Sequence, residues 1–149
     1  MEFSSKIDKF FVGIISITVF IILGVFLFPL LLDYDRTSID TITVLSLCVL
    51  SIGVLLWSAF SIKYVLYNDH LFVKGGLFKS RIPYEDITRI SPTTEIFTGY
   101  RLLSSKQGIE LFYKSATLGS VKISPKDIDL FIFELEKRAP NVQIDKTTQ

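Results

Sequence analysis

The chain has 149 residues, 49% of them hydrophobic, and a formal net charge of +1 at pH 7. That length holds one membrane unit and one small soluble domain. The charge is uneven: residues 1–62 carry 3 basic and 5 acidic groups, residues 63–149 carry 13 and 10, a mild basic excess that suits an anionic membrane surface and falls short of the clustering expected for a nucleic-acid partner.

Residues 1–9 read as a short polar head whose charges, Glu2, Lys6, Asp8 and Lys9, balance. Phe10 to Leu32 follows with no charged residue between Lys9 and Asp33. About 20 mostly apolar residues cross a bilayer core as a helix, because only a helix or a closed barrel satisfies backbone groups where water is absent. This run exceeds the roughly 7–15 residues of a signal-peptide core and no small-x-small site follows it, so it reads as a retained helix over 10–32. Pro29 sits in its last turns, where a kink costs little. Gly13, Ser16 and Gly24 lack a strict glycine-x-x-x-glycine spacing and read as ordinary transmembrane composition.

The turn from Asp33 to Asp40 is too short for a domain, so the second run, helix 41–62, lies beside the first as an antiparallel hairpin. Cys48, the only cysteine, falls in the middle of this run and reads as a small packing residue; no disulfide framework is possible. Arg36 stands among three aspartates in the turn, whereas Lys6, Lys9, Lys63, Lys74, Lys79 and Arg81 flank the other face. The positive-inside rule then places both termini in the cytoplasm of a multi-pass cell-membrane protein. Tyr34 on one side, and Trp57 and Tyr64 on the other, suit interfacial anchoring.

From Lys63 the pattern changes to short runs rich in Val, Ile, Tyr and Phe, broken by Gly, Asn-Asp and Pro. Strands are predicted over 64–67, 70–74, 77–82, 87–91, 101–104, 109–113 and 118–123. Asn68-Asp69 marks a tight hairpin, Pro83 and Pro92 end strands, and Ser105 to Gly108 reads as a hairpin turn between the fifth and sixth. A helix follows, with Ser124 as N-cap, Pro125 at its first position and Asp127 three residues after the cap. Ile128, Phe131, Ile132 and Leu135 form its apolar stripe, widened by Leu130 and Phe133. Lys137 and Arg138 complement its dipole, and residues 140–149 read as a flexible tail.

The fold class is therefore a two-helix transmembrane hairpin followed, over 63–139, by an all-β domain of about seven strands in two packed sheets, capped by a C-terminal helix. This order resembles the pleckstrin-homology (PH) superfold. Tyr67-Asn68-Asp69-His70-Leu71-Phe72-Val73-Lys74-Gly75-Gly76, Ile82-Pro83-Tyr84-Glu85-Asp86-Ile87-Thr88-Arg89-Ile90, and Ile123-Ser124-Pro125-Lys126-Asp127 followed by Phe131 are similar to stretches of the YyaB-like bacterial PH family, in which two N-terminal membrane helices precede the domain. The resemblance implies a fold and a location but no established activity.

No catalytic constellation is legible. Glu85 and Asp86 adjoin in a turn, where side chains rarely converge on one substrate, and Asp86 reads as a turn cap; Ile82, Ile87 and Ile90 read as core. His70 has no Cys or second His to make a metal site. Ser104, Ser105 and Ser115 lack a base at telling spacing, and Gly75-Gly76 fits a turn, not a phosphate loop. The expectation is no enzyme, no cofactor and no metal. Lys79 and Arg81 share one strand face and, with Lys63 and Lys74, are the candidate lipid-headgroup contacts; a solvated face with generic attraction to anionic headgroups, about 1 kcal/mol per residue, is the favoured reading. The first hairpin is short and not basic, unlike that of inositide-binding PH domains. Ile96 and Phe97, two large apolar residues in a Thr-rich connection, either tuck under the sheet, the favoured placement, or stand exposed as a partner contact. The expected role is recruiting or scaffolding a protein partner at the membrane; the alternative is sensing anionic lipid through the basic face.

Overall fold

A computed structural model describes residues 1–35, 37–95, 97–115 and 118–145. Arg36 and Ile96, both used in the reading above, lie outside these. The element order is β1 (Glu2–Ser4), α1 (Lys9–Leu32), α2 (Ser38–Phe60), β2 (Lys63–Leu66), β3 (His70–Gly75), β4 (Phe78–Pro83), a one-turn 3₁₀ helix (Tyr84–Asp86), β5 (Ile87–Thr93), β6 (Tyr100–Leu102), β7 (Gly108–Tyr113), β8 (Ser120–Ile123), α3 (Ile128–Glu136) and β9 (Gln143–Ile144).

The helices α1 and α2 pack as a hairpin and are long and apolar enough to cross a membrane. No α1 side chain is buried, and in α2 only Cys48 is. A core helix of a soluble protein would be covered by its own chain; these are not, which is the surface a bilayer requires. A Cβ at Gly13 or Gly24 would meet nothing within 4 Å, so within this chain neither glycine serves a close helix contact. The start of α2 lies at Ser38, three residues before the apolar run, because Thr37 and Asp40 form a capping box. It stops at Phe60, and Ile62 belongs to the domain core.

Two sheets make the domain, in the orders β1-β2-β3-β4 and β6-β8-β7-β5-β9. Their inner faces bury Leu71, Val73, Ile82, Ile90, Leu111, Val121 and Ile123, and α3 closes the open end with Phe131 and Leu135. Ile82, Ile87 and Ile90 enter the core as the pattern predicts. The periodicity misplaces Leu130 and Phe133, which stay exposed on the outer side of α3.

Several elements differ from the sequence reading. The polar head is not separate: Glu2–Ser4 pairs antiparallel with Lys63–Leu66, and Phe3 is buried with its ring 5.2 Å from that of Phe131. Three residues carry too little periodicity to announce a strand. The segment after residue 100 does not form a hairpin with β7. That strand already lies between β5 and β8, so Tyr100–Leu102 takes the free edge of β8 in parallel register. Ser124 does not cap α3, since its hydroxyl accepts the Ser104 N–H; Asp127 caps instead, accepting from Leu130 N. Lys137 is already the C-cap, and it and Arg138 pair with Glu134. Pro92 does not end β5, which runs to Thr93; it lies past the residues that β9 pairs with, where among the described residues β5 has no partner on that side and tolerates proline. The expected tail contributes β9, pairing with Arg89 and Ile90, with Asp145 bonded to Arg89. Tyr64, expected at the membrane interface, is fully buried; its place in β2 turns it inward.

Candidate functional site

The end of the domain that meets the helix hairpin concentrates the chain's unusual contacts. Because β1 pairs with β2, the chain leaves the domain into α1 and re-enters it from α2 at the same end. Both crossings are clamped.

At the first crossing Asp8 caps α1, accepting Phe11 N–H at 2.8 Å. Its other carboxylate oxygen accepts Lys106 N–H at 2.6 Å and the Ser105 hydroxyl at 3.1 Å. The Asp8 N–H in turn donates to the Ser104 carbonyl. Partial burial opposes ionisation of this carboxyl, but the bonds from Lys106, Phe11 and Ser105 outweigh it, and its pKa lies below the ordinary value. Behind this clamp is a buried polar cluster. The Tyr64 hydroxyl donates to the Leu102 carbonyl at 2.5 Å, accepts Ser124 N–H at 3.1 Å, and lies 3.0 Å from the Ser5 hydroxyl. Burial raises the Tyr64 pKa. Ser104 and Ser105 are buried members of this framework.

At the second crossing the Ser61 hydroxyl accepts Gly76 N–H at 2.9 Å. Gly76 has φ +56°, and a Cβ there would lie 2.8 Å from the Ser58 backbone. Glycine is required on both counts. The β3–β4 turn thus seats directly on the last turn of α2, leaving Leu77 and Phe78 exposed beside the hairpin.

Between the two clamps lies a cavity of about 330 Å³. Its walls come from the first turns of α1 (Phe10, Phe11, Ile14), the last turns of α2 (Leu55, Ala59) and the domain (Phe78, Leu102). Arg101 and Phe97 also line it. The favoured placement of Phe97 under the sheet is not found: it is 69% exposed, with its ring 6.5 Å from that of Phe10. Lys122, nearly buried, holds its loop by bonding Thr98 at 2.9 Å and Glu95 at 3.5 Å. The Lys106 ammonium lies 5.8 Å over the Phe10 ring.

The basic candidates fall on the outer face of the first sheet. Strand register puts Lys63 opposite Lys74 and Lys74 opposite Lys79, one row across three strands. Arg81 stands in the next row, opposite Phe72. The lysine row directly follows α2, so it lies at the hairpin end. Lys63 also bonds Glu2 at 2.8 Å. The other sequence candidates have local roles. His70 bonds Asp69 at 2.8 Å and stacks on Tyr67; that bond to His70 is the main reason the Asp69 pKa is lowered. Asp86 accepts the Ser115 hydroxyl at 2.5 Å, and among the described residues no backbone donor reaches its carboxylate. Among the described residues no group of His, Cys, Asp and Glu is placed to hold a metal.

Sequence reasoning missed Asp8, Tyr64, Arg101, Lys106 and Lys122. Only Asp8 carried a signal: an aspartate just ahead of a long apolar run is an N-cap pattern. Tyr64, Lys106 and Lys122 act through partners far away in sequence.

The profile of the bacterial PH domain family matches residues 62–139. The chain is also 36% identical over 92 residues to a protein of Bacillus subtilis (strain 168) named "Uncharacterized protein YyaB". That match spans 62% of this chain and 62% of the relative's length. No solved structure matches. The matched profile begins at Ile62 and leaves β1, both long helices and β9 outside it.

Proposed function

The chain belongs to the bacterial PH domain family, and on that premise we propose that it is a non-enzymatic module anchored by two spans, with its PH domain held against the cytoplasmic surface of its own bilayer. There the row Lys63, Lys74 and Lys79 engages anionic headgroups. The observation that carries this reading is the cross-strand alignment of the three lysines beside the end of α2. Cations at that depth gain roughly 1 kcal/mol each near an anionic surface. Opposed lysines on neighbouring strands repel, so the row is most stable when an anion lies over it. Orientation follows from the positive-inside bias.

Hydrogen exchange on the full chain in lipid nanodiscs tests this. Strands β2 to β4 are expected to exchange more slowly in anionic than in zwitterionic nanodiscs, and the difference should shrink with salt and in the K63Q/K74Q/K79Q variant. Equal exchange in both lipids would dismiss the lysine row as a lipid contact.

A recruiting role is supported by a second groove, between β5 and α3, lined by Ile90, Pro92, Ile109, Ile128 and Ile132. Among the described residues no strand pairs with β5 beyond β9, and strand addition at such an edge is a common mode of peptide capture. In this reading the lipid contact orients the domain and the groove receives a protein. Ile132→Arg should abolish partner association in membranes while leaving the lipid-dependent exchange intact.

A further inference from the structure

We propose that the turn between β3 and β4 is a third membrane contact, with Leu77 and Phe78 inserted among lipids beside the end of α2, where headgroups meet acyl chains. The turn is closed by the pairing of Gly75 with Phe78. Of its two central residues only Gly76 has a positive φ, +56°, the geometry of a two-residue hairpin turn with glycine leading. Nothing in that geometry asks for leucine at the second position. Yet Leu77 is 72% exposed and Phe78 59%. The other hairpin turn of the same sheet, at the end away from the helices, carries Asn68-Asp69, the polar chemistry that suits a turn in water.

The level at which the turn sits makes the bilayer its partner. The 23 residues of α2 form a rod of about 34 Å, against a hydrocarbon core of roughly 30 Å, so the last turn of α2 lies at the boundary of the core. Gly76 is seated on that last turn: its N–H bonds the Ser61 hydroxyl, and a Cβ on it would lie 2.8 Å from the Ser58 Cα. The tip therefore stands alongside α2 and not beyond its end. Phe78 shares a cavity wall with Ile14 of α1 and Leu55 of α2, residues that face lipid depth once the hairpin spans. The chemistry of the β-hairpin also changes in the order that depth requires. The pair behind Gly75 and Phe78 is Lys74 opposite Lys79, about 3 Å further from the tip, where long side chains bury their stems and keep their ammonium groups among phosphates. The inference rests on the proposed spanning of α1 and α2. It does not need the lysine row to select anionic lipid, because apolar insertion is indifferent to headgroup charge.

The test measures depth with spin labels on the full chain in phosphatidylcholine nanodiscs. In a Cys48→Ser background a nitroxide is attached at Leu77→Cys, Leu118→Cys or Val49→Cys. Leu118 is comparably exposed, at 66%, but sits in the turn between β7 and β8 at the opposite end of the domain. Val49 is exposed in the middle of α2. Relaxation by oxygen, which concentrates in lipid, is compared with relaxation by a water-soluble nickel chelate. The oxygen-to-nickel ratio should be several-fold higher at Leu77 than at Leu118, and highest at Val49. Nanodiscs containing phosphatidylglycerol should give the same ratio at Leu77. A Leu77 ratio equal to that of Leu118 puts the turn in water and overturns the inference. A Leu77 label that neither reagent reaches also overturns it, since a protein surface, from a partner or a second copy, then covers the turn. So does a high ratio at Leu77 seen only with phosphatidylglycerol, because charge and not the apolar tip then brings the domain to the lipid. Without any label, Leu77→Asp should speed hydrogen exchange at the Leu77 and Phe78 amides in nanodiscs; unchanged exchange would count against insertion. A Val49 label with the ratio of Leu118 overturns the spanning of α2 itself, which separates that failure from a failure of the turn.

Discussion

The Asp8 carboxylate accepts the Lys106 backbone N–H at 2.6 Å, joining the cap of the first long apolar helix to a turn 98 residues further along the chain. The same side chain serves Phe11 and Ser105, so one residue starts the helix and fastens it to the domain. A hairpin held only by its connecting residues would let the domain swing; this one is locked at its base.

Asp8→Ala should therefore lower stability by about 0.5–2 kcal/mol for the lost cap alone, and speed hydrogen exchange at the Phe11 and Lys106 amides together. Asp8 has a folded pKa below its ordinary 3.8. Its contribution is thus fully present above the unfolded value and disappears as pH falls through the lower folded one. Wild type and Asp8→Ala should differ at neutral pH and converge in acid; a gap that persists there would mean the carboxylate's charge plays no part.

Phe131 is fully buried, 5.2 Å from the Phe3 ring and 6.3 Å from that of Tyr64. Phe131→Ala should cost about 3–5 kcal/mol. Removal of residues 1–5 should also destabilise the domain, because it takes away β1, Phe3 and the Ser5 hydroxyl. Thermal melting of the full chain in detergent reads both, and an unaltered midpoint on removing residues 1–5 would show that β1 contributes nothing to the sheet.

Gly76→Ala places a methyl 2.8 Å from the Ser58 backbone, in a left-handed conformation. The conformational penalty alone is roughly 1–2 kcal/mol, and the clash pushes the β3–β4 turn off α2. Exchange should rise at Gly76 and around Ser61. Gly99→Ala, with φ +76° but no neighbour within 4 Å, should show the strain without the loosened junction.

Membrane orientation is read by cysteine labelling with an impermeant reagent in intact cells. Ser38→Cys, at the exposed start of α2, should label; Glu136→Cys, on the exposed side of α3, should label only after lysis. The opposite pattern reverses the orientation. Labelling of Glu2→Cys and Glu136→Cys on opposite sides would contradict the pairing of β1 with β2.

Much of this protein was legible in local chemistry. Two uncharged apolar runs predict two spans, and the Ile128, Phe131 and Leu135 spacing predicts α3. Alternation and turn residues locate most of the later strands to within a few residues. The family resemblance rests on the same local stretches, Ile82 to Ile90 and Ile123 to Asp127. Each of these signals lives within a few residues of chain, where helix periodicity, caps and turns operate.

What the sequence by itself determined was thus most of the elements, and which two of them are long and apolar enough to cross a membrane. Their partners were decided only by tertiary structure. Glu2–Ser4 becomes a strand because β2 offers it an edge, and Tyr100–Leu102 pairs with β8 because both edges of β7 are already filled. Ser124 leaves its capping role because Ser104 N–H needs an acceptor in the core. Lys63, Lys74 and Lys79 were visible as charges, but their alignment follows from strand register, which depends on the whole sheet. The cavity beside Arg101 belongs to neither the hairpin nor the domain and exists only where the two are clamped together. Pairing and enclosure satisfy backbone groups and bury area between segments distant in sequence, so no local pattern records them.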